Sequence, residues 1–245
     1  MKIEKVTGIV LSDTNYSESS KILNVLTKEH GKIGIISKGC RNLKSSLRSV
    51  SSKLTYGYFN IYYKKEGLSV LISVDIINDF SNIKQDLFKI GYATFLSDLT
   101  NQVLKETSSN EIFDLFINGL IKINDDFDPM IITNIIELKY LNYLGVMPIL
   151  DCCSVCGSNK KIVTVSSFSG GYLCVNCYKN EYIVDEKTVK LLRMFNYVDI
   201  SKIKELNILP KNKNEINRFL ENYYDRYTGI YLKSKDFLTQ LREKY

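Results

Sequence analysis

The sequence predicts an α+β chain of several domains, and three observations carry that prediction. Apolar runs rich in Val, Ile and Tyr recur about every dozen residues over residues 1–80, as in a small all-β unit. From Asn82 the apolar positions fall at i, i+3, i+4 and i+7, the period of amphipathic helices. Five of the six cysteines then crowd into "CCSVCGSNKKIVTVSSFSGGYLCVNC", from Cys152 to Cys177.

The first 80 residues hold five candidate strands: "KVTGIVLS", "KILNVLT", "GKIGIISKG", "LTYGYFNIYYK" and "LSVLISVDII", the last two joined by a turn at Lys64–Gly67. Five strands in that length point to an OB-type β-barrel, expected as the domain 1–80. Three helices follow up to Gly145, expected to pack as a bundle, with Ser109 or Asn110 as an N-cap and Pro129 in a first turn. Helical periodicity resumes at "DEKTVKLLRMFNY" and continues to the end, so 81–150 and 181–245 are expected to form one helical domain around a module at 151–180.

At 245 residues the chain can bury cores without disulfide staples. No apolar leader opens it, and no run approaches the roughly 20 apolar residues of a membrane helix. The expectation is a soluble cytoplasmic protein with reduced thiols and no membrane partner. The net charge of +6 is uneven: residues 1–80 carry 12 basic and 7 acidic groups, 81–150 carry 5 and 9, and 151–245 carry 16 and 11.

Cys153-x-x-Cys156 and Cys174-x-x-Cys177, 17 residues apart, have the spacing of two knuckles clamping one Zn²⁺ tetrahedrally. Two residues between thiols allow a tight turn that aims both sulfurs at one ion. A redox dithiol pair is the other reading of such spacing, and Cys152 with Cys156 is a second register; the Cys-x-x-Cys symmetry and Gly157 favour Cys153. Four thiolates fill the coordination shell, so the expected zinc is single and structural, in a zinc-ribbon-like module.

Catalytic signatures are missing. Gly34 and Gly39 have the outer spacing of a phosphate-binding loop, but Cys40 stands where that loop needs Lys. The only histidine, His30, precedes a glycine at a strand turn, and Asp125-Asp126 reads as a solvated helix connection. A protein without enzymatic activity is expected.

The positive signal is a stretch of 36 residues, from His30 to Lys65, without one acidic residue. It carries Lys32, Lys38, Arg41, Lys44, Arg48 and Lys53, with hydroxyls between the basic groups, a pattern suited to successive phosphates. A solvated loop in a lysine-rich chain is the plainer explanation. On the next strand Tyr56 and Tyr58 share a face with Tyr62, opposite Phe59 and Tyr63, which leaves one face for the core and one for stacking on unpaired bases. The expected DNA contacts are therefore Lys32, Lys38, Arg41, Lys44, Arg48, Lys53, Tyr56 and Tyr58.

These pieces in this order, with "TGIVL", "SKILNVLTKEHGKI" and "SKGCRNLKSSLRSV" in the barrel, "ELKYLNYLGVMPILDCCSVCG" at the helix-to-knuckle junction, "SSFSGGYLCVNC" and "FLENYYDRYTGIYLKSKDFL", resemble the RecO family of bacterial DNA repair and recombination mediators. The resemblance implies an N-terminal OB domain that binds single- and double-stranded DNA and a non-enzymatic role in annealing complementary strands. It also implies work with RecR to load RecA on DNA covered by single-strand-binding protein, with RecF a further partner, on the nucleoid. It matches Lys38, Arg41, Lys44 and Arg48 to the family's basic barrel loop, and Cys153, Cys156, Cys174 and Cys177 to its metal ligands. A protein-interaction adaptor with a structural zinc site and no DNA role is the competing expectation.

Overall fold

The computed structural model describes residues 2–107 and 109–244, and the chain divides into two compact units, Met1–Asn124 and Asp125–Tyr245.

The first unit is built on a closed five-stranded barrel of β1 (Lys2–Tyr16), β2 (Ser20–Thr27), β3 (Gly31–Ser37), β4 (Tyr56–Tyr63) and β5 (Ser69–Asn78), in the order β1-β2-β3-β5-β4. All pairings are antiparallel except β3 with β5. Closure falls to the 15-residue β1, which pairs with β4 from Lys2 to Ile9 and with β2 from Gly8 to Tyr16. An irregularity between Val10 and Ser12 bends it where it changes partners, as closing a small barrel requires. Alternation supplies the filling: Val6, Val10, Leu23, Val25, Ile35, Phe59, Ile61 and Leu71 form the buried core. At about 1.5–3 kcal/mol per buried aliphatic or aromatic side chain, that core is the barrel's main driving force.

The helices α1 (Ser81–Gln85), α2 (Leu87–Glu106) and α3 (Asn110–Asn124) complete this unit. The helical run expected to start near Ile83 breaks at Asp86, whose carboxylate accepts from the amides of Phe88 and Lys89 and so caps α2. Polar contacts tie the helices to the barrel: Lys53 Nζ lies 2.6 Å from Asp98 and Lys32 Nζ donates to Asn101 at 2.8 Å. The first compact unit runs on to Asn124, and side chains along α2 and α3 find partners on the first eighty residues, as Asn101 does with Lys32 and Phe113 with Tyr56.

The second unit takes the third long helix, α4 (Pro129–Tyr143). Asp128 caps α4 and Pro129 opens it. Ten of its 15 residues are buried, the mark of a central helix with neighbours on most sides. It packs with α5 (Glu186–Tyr197) and α6 (Pro210–Tyr227). Helical periodicity after residue 210 is interrupted at Gly229, with φ of 62°, before α7 (Lys233–Lys244). Between α4 and α5 lies a small sheet of β6 (Ile149–Cys153), β7 (Ile162–Ser166) and β8 (Gly171–Cys174), ordered β6-β8-β7. A Cβ at Gly171 would stand 2.2 Å from the Ile149 carbonyl oxygen, so only glycine lets β8 approach β6 this closely. Among the described residues no helix is long and apolar enough to cross a membrane.

Candidate functional site

The cysteine cluster sits at one end of the small sheet. Cys153 ends β6 and Cys174 ends β8, both buried, while Cys156 and Cys177 follow in turns. Each Cys-x-x-Cys closes as a knuckle: the Gly157 amide donates to the Cys153 carbonyl at 2.9 Å, and the Cys177 amide to the Cys174 carbonyl at 3.0 Å. Gly157 takes φ of 73°, the left-handed turn that favours glycine. The four sulfurs lie within 4.8 Å of one another, with Cys156 Sγ 3.6 Å from Cys174 Sγ. Bond lengths of about 2.3 Å to a tetrahedral zinc give a sulfur–sulfur edge of about 3.8 Å. The donor set therefore fits a metal ion.

The local field favours thiolate at one position. Burial raises the Cys153 thiol, but backbone amides of Cys174, Cys156 and Val155, with the Cys156 side chain, outweigh it and hold Cys153 down to about 6. The crowding pushes Cys177 up to about 12, chiefly through its hydrogen bond with Cys156, since adjacent thiols cannot all ionise without a cation. Cys152 is half-buried and outside the cluster, and Cys40 is buried in the first unit. Little apolar material surrounds the sulfurs: Leu173 is the one buried hydrophobe of this small core besides Cys153 and Cys174, with Ile162 and Cys177 at its edge.

The basic stretch forms the connection between β3 and β4. It is a chain of turns: the Asn42 amide donates to Gly39, Ser45 to Asn42, Arg48 to Ser45 and Thr55 to Ser52. Both ends are pinned. The Arg41 amide donates to the Ser19 carbonyl at 2.8 Å, the Leu54 amide to Val10 at 2.9 Å, and the Ser37 and Ser51 hydroxyls meet at 2.7 Å inside. Lys21, bridged to Asp13 at 2.7 Å, donates to the Ser51 carbonyl, and the other Asp13 oxygen accepts from the Lys53 amide. Cys40 and Leu54 are buried and Leu47 packs on the barrel core, so the intervening cations point outward. The anchors Lys21 and Asp13 carry no local sequence signal, because their role exists only once β1, β2 and the loop meet.

The eight expected DNA contacts separate into two groups. Lys38, Arg41, Lys44 and Arg48 are exposed, and among the described residues none of them forms an ion pair; Arg41 Nη1 donates to the Ser17 carbonyl at 2.9 Å, which fixes its guanidinium. The other four are engaged. Lys53 is bridged to Asp98, and Lys32, bonded to Asn101, has its pKa lowered by burial and then by Lys105. Tyr56 lies against Phe80 and Phe113, and burial raises its hydroxyl pKa. Tyr58 is exposed on the outer barrel face beneath Lys5, whose Nζ is 4.5 Å from the ring centre. The alternation expected of β4 appears in the strand, with Phe59 and Ile61 inside and Tyr58 and Tyr62 outside.

Comparison with known families agrees with this arrangement. The family described as "Recombination protein O N terminal" matches residues 1–80, and "Recombination protein O C terminal" matches residues 84–236. Proteins named "DNA repair protein RecO" are similar over nearly the whole length. One from Bacillus velezensis is 37% identical and one from Listeria monocytogenes 35% identical, each over 98% of this chain and 95% of the relative. A Bacillus pumilus relative of the same name is 36% identical over 97% of this chain and 94% of its own. With both halves matched and relatives of that identity end to end, the chain belongs to the RecO family of DNA repair and recombination proteins.

Proposed function

We propose that the protein is a DNA-binding recombination mediator that works without covalent chemistry. In this reading it binds single- and double-stranded DNA and anneals complementary strands. With RecR it promotes RecA loading on DNA coated by single-strand-binding protein, RecF being a further partner, on the nucleoid. The observation that carries the reading is the pinned loop presenting Lys38, Arg41, Lys44 and Arg48 outward, free of carboxylate partners. Two complementary strands are polyanions, and cations that neutralise phosphates lower their mutual repulsion until base pairing takes over. A rigid loop suits this task, since its cations need not be ordered on binding.

Residues 1–80 supply the DNA-binding part, and 151–180 form a metal module within the helical remainder. Cys153, Cys156, Cys174 and Cys177 hold one structural Zn²⁺; with four protein ligands no position is left for a reacting water. The outer barrel face, where Ile3 is paired with Tyr62 and both are exposed, offers an adjacent surface for a protein partner such as RecR.

The test is strand annealing and DNA binding by the wild type and by a variant with Lys38, Arg41, Lys44 and Arg48 all replaced by Ala, with zinc per chain measured in both. Loss of annealing and of most of the salt-dependent DNA affinity in a folded variant that retains one zinc supports the mediator reading. Equal binding by the two proteins shifts the function to a protein-interaction adaptor.

A further inference from the structure

The second unit carries a groove of about 190 Å³ between the β7–β8 turn and α6, remote in sequence from the basic loop. Its floor is apolar, with Val165, Val184 and Phe219 all buried. Its rim is unusual for a structural crevice. Phe168, at the tip of the turn, is 72% exposed and Tyr182 is 54% exposed. Each ring has an arginine over it: Arg226 lies 4.4 Å from the centre of Phe168, and Arg218 5.1 Å from the centre of Tyr182. Arg218, Asn222 and Arg226 are four residues apart on α6 and all exposed, so they make one stripe, of which Arg218 and Asn222 line the groove and Arg226 reaches the outer side at Phe168. Tyr227 Oη donates to the Phe168 carbonyl at 3.3 Å, which holds the tip beside that stripe.

Two carboxylates complete the lining, Glu181 and Glu215. Both oxygens of Glu215 are engaged, one by the Asp185 amide at 3.0 Å and the Thr188 hydroxyl at 2.5 Å and the other by the Tyr182 hydroxyl at 3.2 Å, whereas Glu181 has one oxygen held by the Lys179 amide at 2.9 Å and the other open to an occupant. These charges select the occupant. An acidic peptide would meet both carboxylates, and a basic one both arginines. A flat neutral ring bearing an amine donor for Glu181, with a phosphate attached at its edge for the arginines, meets neither repulsion. The volume is below the roughly 300–1,000 Å³ of pockets for drug-sized ligands, so it suits one ring system.

We propose that this groove takes a single unstacked nucleobase of a DNA strand, with Phe168 and Tyr182 as the stacking surfaces, Glu215 holding the Tyr182 ring in place, Glu181 accepting from the exocyclic amine, and Arg218 and Arg226 meeting the adjoining phosphates. A base within a duplex presents no open face, so the occupant is single-stranded. Cytosine and adenine carry the exocyclic amine and thymine does not, so the groove prefers C and A over T. This site is separate from the loop and does not depend on it.

The experiment uses the full chain and single-stranded oligonucleotides containing 2-aminopurine, whose fluorescence is quenched by stacking. Phe168→Ala abolishes the quenching and weakens oligo-dC binding about fivefold or more, with the salt slope unchanged. Phe168→Tyr retains both, and Arg226→Ala lowers the slope by about 0.7. Because Phe168 is exposed, its replacement leaves the fold intact, and far-UV circular dichroism checks this. The loop variant loses salt-dependent affinity yet still quenches at saturating oligonucleotide, which separates failure of this site from failure of the loop. Quenching that persists in Phe168→Ala, or equal affinity for oligo-dC and oligo-dT, overturns the proposal. So does an acidic peptide whose binding, and not that of 2-aminopurine DNA, is lost in Phe168→Ala.

Discussion

The salt dependence of DNA binding tests the division of the expected contacts into free and engaged cations. Among the described residues the four loop cations have no carboxylate partner, whereas Lys53 is 2.6 Å from Asp98 and Lys32 is bonded to Asn101. Each phosphate neutralised on a single strand contributes about −0.7 to the slope of log K against log salt, so four give about −2.8. Through the loop alone, raising salt fourfold then weakens binding by about 50-fold. Had Lys32 and Lys53 taken part, they would add about −1.4 to the slope, beyond the loop's share and that of Arg218 and Arg226. Fluorescence anisotropy of a labelled oligonucleotide across a salt series measures this for the wild type, the quadruple loop variant, and Lys32→Ala with Lys53→Ala. The loop variant is expected to lose most of the slope. The Lys32/Lys53 variant keeps the slope and loses about 1 kcal/mol of folding stability with its partly exposed ion pair. A loop variant with the wild-type slope, or a Lys32/Lys53 variant that loses a comparable share, refutes the reasoning.

In the proposed zinc module, Cys174→Ser removes a buried ligand from a cluster whose apolar surroundings are too few to hold three strands. Zinc per chain falls to near zero, and the loss of several kcal/mol appears as a lower melting temperature, which chelation of the wild type reproduces. Gly171→Ala places a methyl 2.2 Å from the Ile149 oxygen and costs about 3 kcal/mol or more, read by denaturant titration. Glu137 is buried on α4, and burial raises its pKa from 4.5 to about 8; Lys235 and Arg242 oppose that rise and Glu221 adds to it. Since the folded value lies above the unfolded one, the contribution is whole below about pH 4.5 and fades as pH climbs to about 8. Stability therefore falls by an order of a few kcal/mol across that window. Glu137→Gln flattens the profile, and an unchanged profile in that variant counts against the assignment.

What the sequence by itself determined is whatever depends on neighbours along the chain. The five strands follow from alternation, and Pro129 and the Cys-x-x-Cys knuckles from local geometry. Gly157 belongs with them, because a left-handed turn is a property of one residue. The tertiary structure decided what depends on partners distant in sequence. It placed α4 in the second unit, buried nearly all round, whereas the break at Asp86 is local, a carboxylate capping the amides two and three residues on. Lysine spacing could not show that Asp98 lies opposite Lys53, 45 residues on, or that Tyr56 is covered by Phe80 and Phe113. It likewise could not show that an exposed phenylalanine after β7 meets Arg226 of α6, 58 residues later. Periodicity reports which face of an element is apolar; only folding decides what that face, and each charge beside it, will meet.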